Sequence, residues 1–213
     1  MTKPTLESDL GFYGIMTDPV VGYERLAQVL QSAGVRMVQL RMKEHPRDEV
    51  RDVAKAVRRI VQLPSLFIVN DDPELASEVG ADGVHLGQDD MPYAEARRIV
   101  GPNAIIGLST HNPRQCAAAC ALGPDYIGIG PVFPTPTKKI ADPAIGIDGM
   151  AQMLGIATVP TVVLGAIDAT NLEQVWAAGA QGYASVRPLN QAQEPGIVLD
   201  KLQKMEKRAK GAR

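Results

Sequence analysis

The chain has 213 residues, with 22 Lys plus Arg against 24 Asp plus Glu and a formal net charge of −2. That length can bury the core of one large domain or two small ones. So even a charge balance argues against a surface made for nucleic acid or an anionic membrane, and no apolar run approaches the ~20 residues of a membrane span.

Short β-rich apolar runs alternate with longer amphipathic ones from end to end. Strands are predicted over 13–16, 37–41, 66–69, 83–86, 105–108, 126–129, 161–164 and 183–186. Helices are predicted between and after them, over 23–32, 47–62, 73–79, 93–100, 113–121, 147–154, 171–178 and about 197–208. Alternation of this kind calls for a parallel sheet covered by helices, and eight repeats in about 200 residues predict a closed (β/α)8 barrel, the TIM-barrel architecture. Gly34, Gly80, Gly123 and Gly179 each stand where a helix ends before the next strand. Thr170 and Glu173 fit a capping box, and Pro73, Pro92 and Pro113 fall where a first turn tolerates proline. No linker divides the sequence, so one domain is expected over 1–213, with a short N-terminal extension and a basic C-terminal helix end.

Two cysteines, Cys116 and Cys120, lie four apart on a helical stretch without further metal ligands nearby. They are expected to be reduced, packed thiols. The first ten residues lack an apolar signal core, and a soluble cytoplasmic protein acting on small molecules is expected. Whether copies of the chain associate as a homo-oligomer is left open.

In a parallel barrel the loops that follow the strands build the functional face, and polar residues collect there strand after strand. Gln39, Arg41 and Lys43 alternate at the end of strand 2, and a period of two turns all three to one side of the sheet. Strand 3 runs into Asn70-Asp71-Asp72 and strand 4 into Gln88-Asp89-Asp90. Asp72 directly precedes a proline and reads as a helix cap. Asp71 and Asp90 are left as a pair that could share Mg2+, which usually takes one or two carboxylates plus substrate oxygens and water. Ser109 follows strand 5 and is expected to touch substrate, whereas Asn112 suits a cap; His85 and His111 are expected to be structural, and His45 to lie at the surface.

Strand 6 opens into Gly-Ile-Gly-Pro-Val-Phe-Pro-Thr-Pro-Thr-Lys-Lys at 128–139. Its three prolines restrict φ and remove backbone donors, so this loop can present Thr135, Thr137 and Lys138 in a fixed shape to an anion. After strands 7 and 8 come Gly165-Ala166-Ile167-Asp168 and Val186-Arg187-Pro188, where barrels often hold phosphate. Nucleotide-binding P-loop, Gly-x-Ser-x-Gly and His-Glu-x-x-His motifs are absent, and no predicted strand carries a Schiff-base lysine.

Several stretches, taken together, resemble the thiamine-phosphate synthase family: Tyr13-Gly-Ile-Met-Thr-Asp18, Gln39-Leu-Arg-Met-Lys43, Phe67-Ile-Val-Asn-Asp-Asp72, Gly83-Val-His-Leu-Gly-Gln-Asp-Asp90, Ile106-Gly-Leu-Ser-Thr-His111 and the run from Asp125 to Lys139. The resemblance implies coupling of 4-amino-2-methyl-5-hydroxymethylpyrimidine diphosphate with a thiazole phosphate, giving thiamine phosphate and diphosphate. By the same resemblance, Gln39, Arg41, Lys43, Asn70, Ser109 and Lys138 would hold the pyrimidine diphosphate, and Asp71 and Asp90 the Mg2+. Thr135 and Thr137, with Gly165, Ala166, Val186 and Arg187, would face the thiazole phosphate. The chain departs from the family pattern at Met42, where an acidic residue is usual, at Ala166, where a second glycine is usual, and at Val186-Arg187-Pro188, where a serine is expected. A divergent paralogue with another acceptor, a thiazole-phosphate tautomerase and a non-catalytic phosphometabolite binder are the alternatives.

Overall fold

The computed structural model describes Leu6, residues 9–135 and residues 143–211. In chain order its elements are β1 (Gly11–Met16), α1 (Tyr23–Ser32), β2 (Met37–Leu40), α2 (Arg47–Ile60), β3 (Leu66–Asn70), α3 (Pro73–Val79), β4 (Gly83–Leu86), α4 (Tyr93–Val100), β5 (Ile105–Thr110), α5 (Pro113–Leu122), β6 (Tyr126–Ile129), α6 (Gly146–Ile156), β7 (Thr161–Val163), α7 (Leu172–Ala177), β8 (Gly182–Tyr183), α8 (Val186–Asn190) and α9 (Pro195–Gly211). The strands pair in sequence order, all parallel, and β8 returns to β1 through Gly11 with Gly182 and Phe12 with Tyr183, closing the barrel.

The period of two sorts the side chains into two cores. Phe12, Met16, Val38, Leu40, Phe67, Val69, Val84, Leu86, Ile106 and Ile127 point outward and pack under the helices. Tyr13, Ile15, Met37, Leu66, Ile68, Ile105, Tyr126 and Val162 fill the interior. The helices are amphipathic to match: α2 buries Ala54 and Val57, with Val50, Val53 and Ile60 partly buried beside them, while Arg47 and Arg59 are exposed.

A device at the N-terminal side of the barrel recurs. Asp82 accepts from the Phe67 N–H and from Arg58, both at 2.7 Å, and Asp125 accepts from the Ile106 N–H at 2.9 Å and from Arg97 at 3.0 Å. Each carboxylate thus ties the start of a neighbouring strand to a helix, with charge-assisted bonds that are stronger than neutral ones.

Many boundaries shift by one to three residues from the sequence reading, and three features differ in kind. Only two residues of strand 8 pair, and 186–190 turn into the short helix α8, because the Asn190 side chain donates to Ile15 O and Val186 O and accepts from the Thr17 N–H. The capping box at Thr170 and Glu173 does not form. Asn171 is the N-cap and makes no side-chain bond into the helix; its side chain accepts from Asp168 N–H instead, and the Thr170 hydroxyl donates to the Asp168 carboxylate. Pro92 is the N-cap of α4 rather than its first residue, whereas Pro73 and Pro113 open α3 and α5 behind capping side chains of Asp72 and Asn112. Both cysteines are free.

Gly107 on β5 has no room for a side chain, since a Cβ there would lie 2.1 Å from Tyr126 Cζ. Gly155, exposed in α6, has open space around it. Gly107→Ala is therefore expected to destabilise the fold by about 3 kcal/mol or more, by overpacking, whereas Gly155→Ala should stabilise it by about 0.5–1 kcal/mol. Urea unfolding curves of the two variants check the opposite signs.

Candidate active site

One cavity opens at the C-terminal ends of the strands. It is lined by Gln39, Arg41, Lys43, Asn70, Asp71, Ser109, Thr135, Gly165, Ala166, Val186 and Arg187, among others. Every described residue singled out from the sequence as a candidate ligand is in that lining except Asp90, which stands just behind it. Thr137 and Lys138 lie outside the described residues.

The period of two carries Gln39, Arg41 and Lys43 inward. Gln39 is buried on β2, and Arg41 and Lys43 continue its side of the strand into the following loop. Lys43 reaches across to β3 and pairs with Asp71, Nζ to Oδ2 at 2.8 Å. Asp71 itself has φ 66°, a left-handed conformation that costs a non-glycine residue energy, and its N–H donates to His85 O. The strand end is thereby turned so that the carboxyl faces the cavity.

Asp71 and Asp90 share a hydrogen bond. Burial, reinforced by the bond and the charge of Asp90, pushes the Asp71 carboxyl up to about 6 against the pull of Lys43. Asp90 is also penalised by burial, but the hydrogen bonds from Asp71 and from the Gly87 N–H at 2.6 Å outweigh this and hold it below its ordinary value. Two like charges in contact cannot both ionise freely, so below about pH 6 the pair holds one proton, on Asp71. A divalent cation could replace that proton. Among the described residues no group of three or more His, Cys, Asp or Glu could enclose a metal. A cation held by Asp71 and Asp90 would thus need its remaining ligands from substrate oxygens or water.

The loops around the mouth are tied to one another. His45 bridges Asp18 at 2.8 Å and Glu49 at 3.1 Å, which joins the loop after β1 to the start of α2. Hydrogen bonding to Asp18 raises the His45 imidazole above its ordinary value. On the far side, Gly130 N–H donates to Thr110 O, Val132 N–H to Leu164 O and Phe133 N–H to Gly165 O, so the base of the proline-rich loop is stitched to the ends of β5 and β7. Gly165 has φ 113°, and a Cβ there would lie 2.5 Å from Pro131 Cα. The next residue, Ala166, is also left-handed at φ 48° and carries a Cβ there. Arg187 is exposed in the first turn of α8, and among the described residues its guanidinium has no hydrogen-bond or ion-pair partner.

The sequence reading did not single out Tyr13 or Tyr126 as lining residues. Both are inward on their strands, and Tyr13 Oη, Tyr126 Oη and His85 form a buried hydrogen-bonded run beneath the cavity. The alternation of each strand was the available signal, because Tyr13 shares its side with Ile15, and Tyr126 with Gly128.

Fold and cavity together define a (β/α)8-barrel protein with a polar, charged mouth at the C-terminal strand ends. A family model described as thiamine monophosphate synthase matches residues 13–189, and the chain belongs to that family. It is 39% identical over 182 residues to thiamine-phosphate synthase of Laribacter hongkongensis, covering 85% of this chain and 86% of the relative. Identity is 42% over 183 residues, 85% of this chain, to thiamine-phosphate synthase of Gloeobacter violaceus, of which only 53% is covered. The chain thus spans about half the length of several relatives it matches. Among solved structures, thiamine phosphate pyrophosphorylase from Pyrococcus furiosus superimposes with a TM-score of 0.86 at 29% identity, covering 95% of this chain and 98% of that one. No helix among the described residues is long and apolar enough to cross a membrane.

Asp90→Asn removes the neighbouring charge that adds to burial in raising the Asp71 carboxyl. The Asp71 carboxyl should then titrate below about 6, with Lys43 now the dominant charge beside it. Carboxyl 13C shifts followed through an acid titration of both proteins measure this directly, and an unchanged midpoint would contradict the shared-proton description.

Proposed function

We propose that the protein is a transferase that joins 4-amino-2-methyl-5-hydroxymethylpyrimidine diphosphate to a thiazole phosphate, forming thiamine phosphate and diphosphate. The observation that carries this reading is the Asp71–Asp90 pair, hydrogen-bonded to each other and flanked by Lys43 and Arg41 at the barrel mouth. Membership of the thiamine monophosphate synthase family supports it.

In this reading the bond between the pyrimidine methylene carbon and the diphosphate oxygen breaks, and its electron pair leaves with diphosphate. The amino-substituted ring delocalises the positive charge left on the methylene carbon. The thiazole nitrogen lone pair then forms the new C–N bond. No protein nucleophile is needed, so the residues act through charge and position. Mg2+ held by Asp71 and Asp90 would supply neutralisation of the leaving diphosphate. Arg41 and Lys43, with Asn70 and Lys138, bind its oxygens, while Gln39 and Ser109 hold the pyrimidine portion. Arg187 and Thr135, with Thr137 and the backbone of Gly165, Ala166 and Val186, take the thiazole phosphate. Arg187 suits that role as an exposed cation on the cavity wall, since a guanidinium can grip phosphate with two parallel bonds.

Purified protein incubated with both substrates and Mg2+ should release thiamine phosphate and diphosphate in equal amounts, and no product at saturating substrate would overturn the proposal. Diphosphate release that requires a different acceptor would instead identify a paralogue. Asp71→Ala and Asp90→Ala should each lower kcat/KM by about 10²–10³-fold and raise the Mg2+ concentration needed for half-maximal rate; unchanged Mg2+ curves in both would remove the metal assignment. Arg187→Ser should raise KM for the thiazole phosphate about tenfold or more, the loss of a charge-assisted contact, and leave KM for the pyrimidine diphosphate unaltered. Steady-state kinetics with each substrate varied in turn distinguish the two sides.

A further inference from the structure

The barrel interior contains a continuous polar chain beneath the cavity. Gln39 Nε2 donates to Tyr13 Oη at 2.8 Å, Tyr13 Oη lies 2.8 Å from Tyr126 Oη, Tyr126 Oη lies 2.9 Å from His85 Nδ1, and His85 Nε2 lies 2.8 Å from Ser109 Oγ. Five strands contribute one residue each. Tyr13 and Tyr126 are fully buried, and His85 is buried as well.

Proton counting gives the chain a direction. A phenol has one proton to donate. Tyr13 accepts from Gln39, so it spends its proton on Tyr126, which in turn spends its own on His85 Nδ1. An imidazole nitrogen that accepts carries no hydrogen, which leaves the ring proton on Nε2 and directs it at Ser109 Oγ. With its oxygen accepting from His85, the Ser109 hydroxyl is left to donate into the cavity. At the other end Gln39 has committed its amide nitrogen and retains Oε1 without a partner among the described residues. Burial raises both phenols far above their ordinary value, so neither loses its proton and breaks the chain.

We infer that Tyr13, Tyr126 and His85 are positioning residues that polarise the floor of the cavity, setting an acceptor at Gln39 and a donor at Ser109 to match the amino group and ring nitrogen of an aminopyrimidine. The inference rests on the proposed transferase reading for the identity of that ligand, but the polarity belongs to the chain itself. None of the three needs to touch the reacting atoms. An opposite polarity would leave Ser109 offering only lone pairs to a ring nitrogen that is itself an acceptor, and an unmatched buried polar pair is costly.

The polarity is tested without substrate. In 15N-labelled ligand-free protein, two-bond 1H–15N correlations report the tautomer of each of the three histidines, with His45→Ala and His111→Ala providing the assignment. His85 is expected as the neutral Nε2–H tautomer; the Nδ1–H tautomer or an imidazolium would overturn the inference. The second arm is a double-mutant cycle on KM for the pyrimidine diphosphate. Tyr126→Phe should raise KM about tenfold, equivalent to about 1.4 kcal/mol, and Tyr126→Phe combined with Ser109→Ala should be no worse than Ser109→Ala alone. Additive losses would mean that Tyr126 acts only through general stability. If Tyr126→Phe fails to fold, Tyr13→Phe completes the same cycle. The expected tautomer in a protein that makes no thiamine phosphate would refute the substrate reading and leave the polarity intact.

Discussion

Closure of the parallel ladder is the constraint on which the molecule depends, and it is made by two residue pairs only, Gly11 with Gly182 and Phe12 with Tyr183. A joint so short relies on what packs outside it. Tyr183 is held edge-on between Phe12 at 5.4 Å and Trp176 at 5.9 Å, and Lys210 of α9 sits 5.4 Å over the Trp176 ring while pairing with Asp9. Aromatic edge contacts of this kind add to the burial of apolar area. Once the ladder meets itself, inward side chains from all eight strands must share one interior, and their C-terminal ends must converge on one mouth.

That shared interior is unusual in its upper part. Met37, Leu66, Ile68, Ile105 and Val162 supply apolar filling, whereas Gln39, Tyr13, Tyr126, His85 and Ser109 form a connected polar chain. A buried polar network is costly when any member lacks a partner and rigid when each has one. Here the room for Tyr126 is created by the absence of a side chain at Gly107. The same chain ends at two cavity-lining residues, so the demand for internal hydrogen bonding and the shape of the site are one problem.

The two sides of the mouth are built differently. From β2 to β5 Gln39, Arg41, Asn70, Asp71 and Ser109 project from regular strands or from the residue just after them, with Asp71 bent into place by its left-handed backbone. From β6 to α8 the lining is irregular backbone: stitched loop carbonyls, Gly165 and Ala166 at positive φ, and a two-residue β8 that gives way to a helix. Side chains on strands are positioned by pairing, whereas those on such loops depend on local strain and caps, which leaves more freedom for exchange.

The alternation of elements, the barrel class, the helix-ending glycines, the caps at Asp72 and Asn112, and the strand-end residues that meet in one cavity are all legible in the amino-acid order. Each of these follows from local periodicity or from the chemistry of one or two neighbouring residues. The capping box at Thr170 was locally plausible and lost to Asp168 and Asn171, which bond to each other across the loop. Strand 8 read as extended, but the contacts of Asn190 with Ile15 and Thr17, far away in sequence, made it a turn of helix. Tyr13 meets Tyr126, Lys43 pairs with Asp71, and Asp90 hydrogen-bonds to Asp71 only in the closed barrel. The physical reason is closure: periodicity tells which side of a strand a residue faces, but its partner across the barrel is chosen by register and diameter, which exist only once β8 has paired with β1.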